Sequence, residues 1–381
     1  MSSDQPPTHD LAALLAQAQK ALDDCHPDLA SKFLLRALDA APNDFTVLTT
    51  LGIAEMEKMN AAEDDDSPDM SAAALTAARG YFLRAVDLAS KEGFEPFVYL
   101  GQLSAGEEAV SFYERGVAVL EGMLEDCAGS EKEPLLRRKL SDALCSMAEI
   151  YMTDCCDAPD AESRCEDYVS RAVSADPSNP DAHQTLASMR LSQCRNPDAA
   201  NAIATSMDLW FTAPDPKLAM PPYPARINLI KVLLELSLHD RALDVLKTIE
   251  EENDEDPEGW YLYGWCLYRI GGGGEEEGGE GMAVEDEEPL SIADKSDAWA
   301  EATECFEHFM QVRDTLFKVI VRVPLIDPFI KLQERFGAEE GMIEHTTQLL
   351  AEITPFLEQH PPSNPMEVQD PADYDDDAMD V

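Results

Sequence analysis

An all-α fold built from repeated helical pairs is predicted by three features of the sequence. Alanine and leucine recur at helical spacing, as in Leu11, Leu14, Leu15, Ala18 and Leu22, while few windows alternate with the period of a strand. Helical stretches of about a dozen residues come in pairs. Proline or Asn-Asp punctuation often follows the second of each pair, at Pro42-Asn43-Asp44, Asp176-Pro177-Ser178-Asn179 and Asp256-Pro257.

Taken in order, the pairs carry the small-and-large pattern of the tetratricopeptide repeat, a helix-turn-helix unit of about 34 residues. First helices are marked by Leu48, Leu51 and Gly52; Phe97, Leu100 and Gly101; Leu144, Met147, Ala148 and Tyr151; and His183, Leu186 and Ala187. The clearest is Trp260, Tyr263, Gly264 and Leu267. Second helices show Ala30, Leu34 and Ala37; Ala78, Phe82 and Ala85; Ala109, Tyr113 and Gly116; Cys165, Val169 and Ala172. Ala199 and Ile203, Ala242 and Leu246, and Ala302 and Phe306 continue the series. Small residues let the paired helices approach, and large ones fill the gap to the next repeat. The expectation is a right-handed solenoid of about seven repeats over residues 10–312.

Residues 1–9 are polar and expected to be disordered. Two acidic interruptions, at 60–71 and 271–291, are expected to be loops, the second flexible because it is rich in Gly and Glu. Residues 313–360 read as helical but out of repeat phase. Leu316, Phe317, Ile320, Leu325, Phe329 and Leu332 would cap the open end of the array. Residues 361–381 form an acidic, disordered tail.

The charge arithmetic bounds the function. Lys and Arg total 28 against 76 Asp and Glu, a formal net charge of -48. Such a chain repels nucleic-acid phosphates and anionic membrane surfaces, so neither is expected as a direct partner. It attracts a strongly basic partner. Nine cysteines, an odd number, fit reduced, buried thiols in the cytosol or nucleus. No apolar run is long enough to span a membrane.

No enzyme motif is present. G-x-x-x-x-G-K-[ST], G-x-S-x-G and a helix-opening G-x-G-x-x-G are all missing, and no His pair has metalloprotease spacing. The glycines at 271–274 precede Glu275-Glu276-Glu277, which would repel a phosphate. Cys155, Cys156 and Cys165 lack the paired spacing of a zinc site. No catalytic residue, cofactor or metal is therefore expected. Arg137-Arg138-Lys139 reads as a solvated helix face or a localisation signal.

In this repeat the first helices line the concave surface. In phase with the motif, the groove positions hold Glu57, Glu95, Asp142, Glu149, Asp181, Glu235 and Glu258, with Tyr261, Trp265 and Tyr268 in the last repeat. Carboxylates and aromatic rings together suit Lys and Arg side chains, through ion pairs and cation–π contacts. Alternatively, some of these aromatics pack beneath the capping segment.

The combination resembles a family. Repeats, an acidic interruption in the second repeat and an acidic tail accompany the Trp260-Tyr261-Leu262-Tyr263-Gly264-Trp265-Cys266 segment and the Asp176-Pro177-Ser178-Asn179-Pro180-Asp181-Ala182-His183 junction. They look like the fungal tetratricopeptide chaperones dedicated to the large-subunit ribosomal protein numbered four. The resemblance implies capture of the newly made basic protein through its long internal loop. It also implies protection from aggregation and escort through cytoplasm and nucleus to the pre-ribosome, with the nuclear import machinery as a further partner. Two other readings stay open. Acidic tetratricopeptide histone chaperones also bind a basic client, although their insert is usually longer than Glu63 to Asp66. A general tetratricopeptide scaffold or co-chaperone is the other. The clamp that reads chaperone C-termini needs Lys, Arg and Asn where this sequence has Leu15, Gln19, Thr50, Glu95 and Tyr99.

Overall fold

A computed structural model of the chain describes residues 11–64, 68–88, 93–274, 291–322 and 329–363, with side chains for all of these except 62–64, 68, 69, 218, 314–322 and 329–339. The fold is all-α, with no strand among the described residues. The helices are α1 (Leu11–Asp23), α2 (Pro27–Ala40), α3 (Phe45–Asp64), α4 (Pro68–Leu88), α5 (Glu95–Gln102), α6 (Gly106–Asp126), α7 (Glu133–Met152) and α8 (Ala161–Ala175). They continue as α9 (Pro180–Ser192), α10 (Asn196–Phe211), the short α11 (Pro216–Ala219), α12 (Tyr223–Glu235), α13 (His239–Glu252), α14 (Pro257–Ile270), α15 (Ile292–Arg322) and α16 (Phe329–Gln359). Helices pair as α1/α2, α3/α4, α5/α6, α7/α8, α9/α10, α12/α13 and α14/α15, the hairpins that the repeat pattern predicts. The chain forms two compact units, residues 1–219 and 220–381. Five hairpins belong to the first unit; two hairpins and α16 belong to the second.

The small-and-large pattern has a direct physical basis. Gly52 of α3 lies so close to the Phe82 ring of α4 that any Cβ would collide with it. A Cβ on Gly101 would come to 2.5 Å from Tyr113, and one on Gly264 to 2.7 Å from Phe306. In each of these three hairpins an aromatic ring of the second helix rests on bare backbone of the first. Where the first helix offers alanine, as at Ala148, the second helix meets it with smaller Cys165, whose thiol donates to the Ala148 carbonyl at 3.5 Å.

The punctuation residues act as helix caps. Asp44 accepts from the Val47 amide at 2.9 Å, Asn179 from Asp181 at 3.1 Å, and Asp256 from Gly259 at 3.1 Å. Each side chain satisfies an amide that the first turn leaves free. Proline at the opening of α9 and α14 needs no such partner. At the other end, the first helices α1, α9, α12 and α14 close on a residue in the left-handed region: Cys25, Cys194, Ser237 and Gly272, with φ of 56°, 56°, 57° and 75°. The amide after each reaches back to a carbonyl five residues earlier, as His26 to Ala21 at 2.7 Å and Gly273 to Tyr268 at 3.0 Å.

Several expectations change. The helices of the second repeat run into the acidic interruption from both sides, α3 to Asp64 and α4 from Pro68, because Ala61 and Ala62 favour helix; residues 65–67 lie outside the described residues. Gly271–Gly274 are an ordered turn and not flexible loop. A Cβ at Gly271 would strike Trp299, and one at Gly273 would strike Tyr268. The acidic residues 275–290 lie outside the described residues, as do residues 1–10 and 364–381 of the expected disordered ends. The second helix of the last repeat does not stop near residue 312 but continues to Arg322. Side chains of the expected capping stripe, Leu316 to Leu332, lie outside the described residues. Among the described residues, capping contacts come from Leu349, Ile353 and Phe356 of α16, packed with Tyr268, Trp299 and Phe306. Cysteines are not uniformly buried: Cys25, Cys156 and Cys194 are exposed, and Cys25 and Cys194 occupy left-handed turns.

Candidate functional site

In the first unit the predicted acidic positions gather in two places. Glu57 is exposed on α3, and Glu95 opens α5 half-buried. Between them lies Tyr99, stacked on Phe82 at 4.9 Å. Burial chiefly, then the charges of Glu95 and Glu57, push the Tyr99 phenol above its usual range.

The second gathering joins α7 to α9. It begins with the junction that the sequence singled out. Arg138 bonds Asp176 at 2.5 Å and the Ser178 carbonyl at 3.0 Å, which draws the 176–179 turn onto α7. Fully buried Asn179 then donates to Ser141 at 2.9 Å and to Asp142 Oδ1 at 3.0 Å. One helical turn separates Asp181 from Thr185, which donates to the Asp181 carbonyl at 3.0 Å and reaches Glu149 Oε1 at 3.5 Å. Asp142, Glu149 and Asp181 thus converge around Cys145.

These carboxylates hold their protons more tightly than free ones. Burial raises all three; the charge of Asp142 adds to the effect on Asp181, and that of Asp181 adds to the effect on Glu149. Lys139, 3.8 Å from Asp142, and the Asn179 amide work against the rise at Asp142. Glu149 keeps solvent-exposed area, but protein atoms and Asp181 crowd its carboxyl. Asp181 Oδ1 is buried without a hydrogen-bond partner among the described residues. Cys145, buried beside them, is pushed up to about 12, which makes it an inert thiol. Among the described residues, Glu57, Glu95, Glu149 and Asp181 form no ion pair with Lys or Arg. Arg137, Arg138 and Lys139 are themselves engaged, with Glu133, Asp176 and Asp142.

The second unit is finished differently. Glu235 is exposed at the end of α12, whereas Glu258 pairs with Lys231 at 2.7 Å. Tyr261 and Trp265 are half-buried, their ring centroids 6.1 Å apart, with His345 of α16 set 5.9 and 5.8 Å from them. The Tyr261 hydroxyl and His345 Nδ1 are hydrogen-bonded at 2.7 Å. Tyr268 does not face a groove. It is buried, stacked on Trp299 at 5.4 Å, and donates to Glu352 at 2.7 Å. Packing beneath the cap, the alternative noted for these aromatics, is what the structure shows for Tyr268. The repeat phase gave no sign of His345, Glu352 or Thr185. The first two lie outside the repeats, and Thr185 joins the site only through its spacing from Asp181. No three His, Cys, Asp or Glu groups among the described residues are placed to hold a metal ion, and no described helix is long and apolar enough to cross a membrane.

No family model matches the chain. A protein of Schizosaccharomyces pombe named "Probable assembly chaperone of rpl4" is 35% identical over 203 residues, 51% of this chain and 60% of the relative. One of the same name from Emericella nidulans is 38% identical over 200 residues, 50% of this chain and 49% of the relative. A solved structure titled "Assembly Chaperone of RpL4 (Acl4) (Residues 1-338)" aligns at a TM-score of 0.61 and 30% identity, covering 69% of this chain and 97% of that one. The chain belongs to this family. The resemblance carried by the Trp260–Cys266 segment and the 176–183 junction is therefore membership. The chain spans between about half and three-fifths of the length of its two curated family relatives.

Proposed function

We propose that the chain is a non-catalytic chaperone that captures a basic segment of newly made ribosomal protein L4 on the acidic first-helix faces. In this reading it prevents aggregation of the client and accompanies it from cytoplasm to nucleus and the pre-ribosome. The observation that carries the proposal is the trio Asp142, Glu149 and Asp181. Burial and mutual repulsion oppose their ionisation, and among the described residues Glu149 and Asp181 form no ion pair with Lys or Arg. A Lys or Arg side chain from a partner would supply the missing charge and the missing donor at Asp181 Oδ1. The names of the relatives support L4 as the source of that side chain.

The test is titration of purified L4 into the wild-type chain and into the Glu149→Gln/Asp181→Asn variant, with circular dichroism as folding control. Binding should weaken by about tenfold or more, on the order of 1.4 kcal/mol. Unchanged affinity with intact helicity would remove the trio from the site. A core histone tetramer that displaces L4 at equal concentration would favour the histone-chaperone reading instead.

A further inference from the structure

The aromatic face of the last repeat bears on what happens when a client arrives. Tyr261, Trp265 and Tyr268 stand at i, i+4 and i+7 on α14, the positions that face the groove in the repeat pattern. Here α16 lies along them. It runs parallel to α14, since Tyr261 meets His345 and Tyr268 meets Glu352, each pair 84 residues apart. Helix α16 therefore stacks as the first helix of a further repeat would.

The seam it makes mixes apolar and polar groups. Leu349 and Ile353 supply its buried apolar contacts. Around them stand the imidazole of His345, the carboxylate of Glu352, and Thr346, which is fully buried with its Oγ1 lacking a partner among the described residues. An unsatisfied hydroxyl and a hydrogen-bonded His make such a seam easier to open than an all-apolar one. Trp265 and Tyr261 also stay half-exposed with α16 in place, which leaves an edge from which they can be approached.

We propose that the Tyr261–Trp265 face is a second contact surface for the basic partner, masked in the free protein by α16, with His345 standing where an arginine or lysine side chain of the partner enters. The inference rests on the reading of the client as basic. Two aromatic rings set around a nitrogen heterocycle suit a guanidinium better, because a fixed positive charge interacts with ring faces where a neutral imidazole offers only an edge. The net charge of -48 draws such a cation toward the chain from a distance.

The experiment uses the full chain and an octa-arginine peptide as probe. Hydrogen exchange is followed over residues 340–359, free and bound. Amides of α16 should exchange about tenfold faster in the complex. His345→Ala removes the internal competitor and should tighten peptide binding about threefold. Trp265→Ala should weaken it. Since His345→Ala could loosen the fold, Glu352→Gln serves as the second variant; it keeps an acceptor for Tyr268, weakens the seam, and should also tighten binding. If the peptide binds while α16 stays fully protected, and Trp265→Ala leaves affinity unchanged, α16 is a structural cap and the inference is overturned. Failure of the basic-client reading looks different: the wild-type chain would then bind neither the peptide nor L4.

Discussion

Helices α7 and α14 take the same place in their repeats, yet their faces are completed in different ways. On α7 the face is acidic, and neither Glu149 on it nor Asp181 of α9 forms an ion pair with Lys or Arg among the described residues. On α14 the face is aromatic, and the chain covers it with its own α16 through His345 and Glu352. One repeat architecture thus carries an electrostatic demand in the first unit and a packing demand in the second. Among the described residues the first is unmet and the second is largely met. That contrast separates residues that stabilise the fold from residues that strain it.

The largest effect should come from breaking the met demand. Ile353 is fully buried against Tyr268, Trp299 and Phe306. Ile353→Ala should destabilise the second unit by about 2–5 kcal/mol. In a Trp210→Phe background, which removes the one tryptophan of the first unit, fluorescence of Trp260, Trp265 and Trp299 during urea unfolding reports the second unit. Cys145 and Cys165 are buried in the first unit, and their protection from thiol labelling reports it separately. Loss of protection in both units together would show that they unfold as one, and the contrast would fall.

A pH titration sharpens the comparison because the two faces respond with opposite sign. Asp142, Glu149 and Asp181 have folded pKa values raised above those of the unfolded chain. Their contribution is most favourable below the ordinary carboxylate range, about 4, and is lost as pH rises through the folded values. Asp181→Asn should therefore stabilise the first unit at pH 7 and lose that advantage at low pH. His345 behaves in the reverse way, since burial between Tyr261 and Trp265 lowers its folded pKa. Its contribution is intact above about pH 6.5 and is lost as pH falls from there through the folded value. Acidification from pH 7 to 5.5 should loosen α16 in hydrogen exchange, and His345→Phe should abolish that response. A wild-type α16 that stays protected at pH 5.5 would refute the assignment.

The smallest effect concerns the turns. Cys25 and Cys194 hold left-handed φ values that disfavour any residue with a Cβ. Cys25→Gly and Cys194→Gly should each stabilise the first unit by about 0.5–1 kcal/mol, seen as a higher urea midpoint. A lower midpoint would mean that the thiols make compensating contacts.

The hairpins were legible in the sequence because their signals are local. Apolar spacing marks Leu48, Leu51 and Phe82, and the caps Asp44, Asn179 and Asp256 stand beside the prolines and asparagines that announce them. The repeat phase also picks out Asp142, Glu149 and Asp181 as acidic first-helix positions, but it carries no sign of the burial that raises their pKa values. What could not be read was pairing at a distance. Glu258 looks like any other groove carboxylate until Lys231, 27 residues earlier, is found beside it. Tyr268 looks like Tyr261 until Trp299 and Glu352 close over it. The glycine run after α14 reads as flexible because composition carries no record of the rings that pack onto Gly271 and Gly273.

The fit of Phe82 over Gly52 also restricts the order in which this chain can change. Replacing the ring with leucine first leaves a gap that the hairpin can survive at a cost of a few kcal/mol, and alanine can then occupy position 52. Taking the steps in the other order drives a methyl group into a packed aromatic ring before any space exists. Two sequences that differ at both positions, each stable, are therefore joined by one passable route and one blocked one. The same holds for Gly101 with Tyr113 and Gly264 with Phe306, so the direction of drift in these hairpins is set by the second helix, with the first helix following.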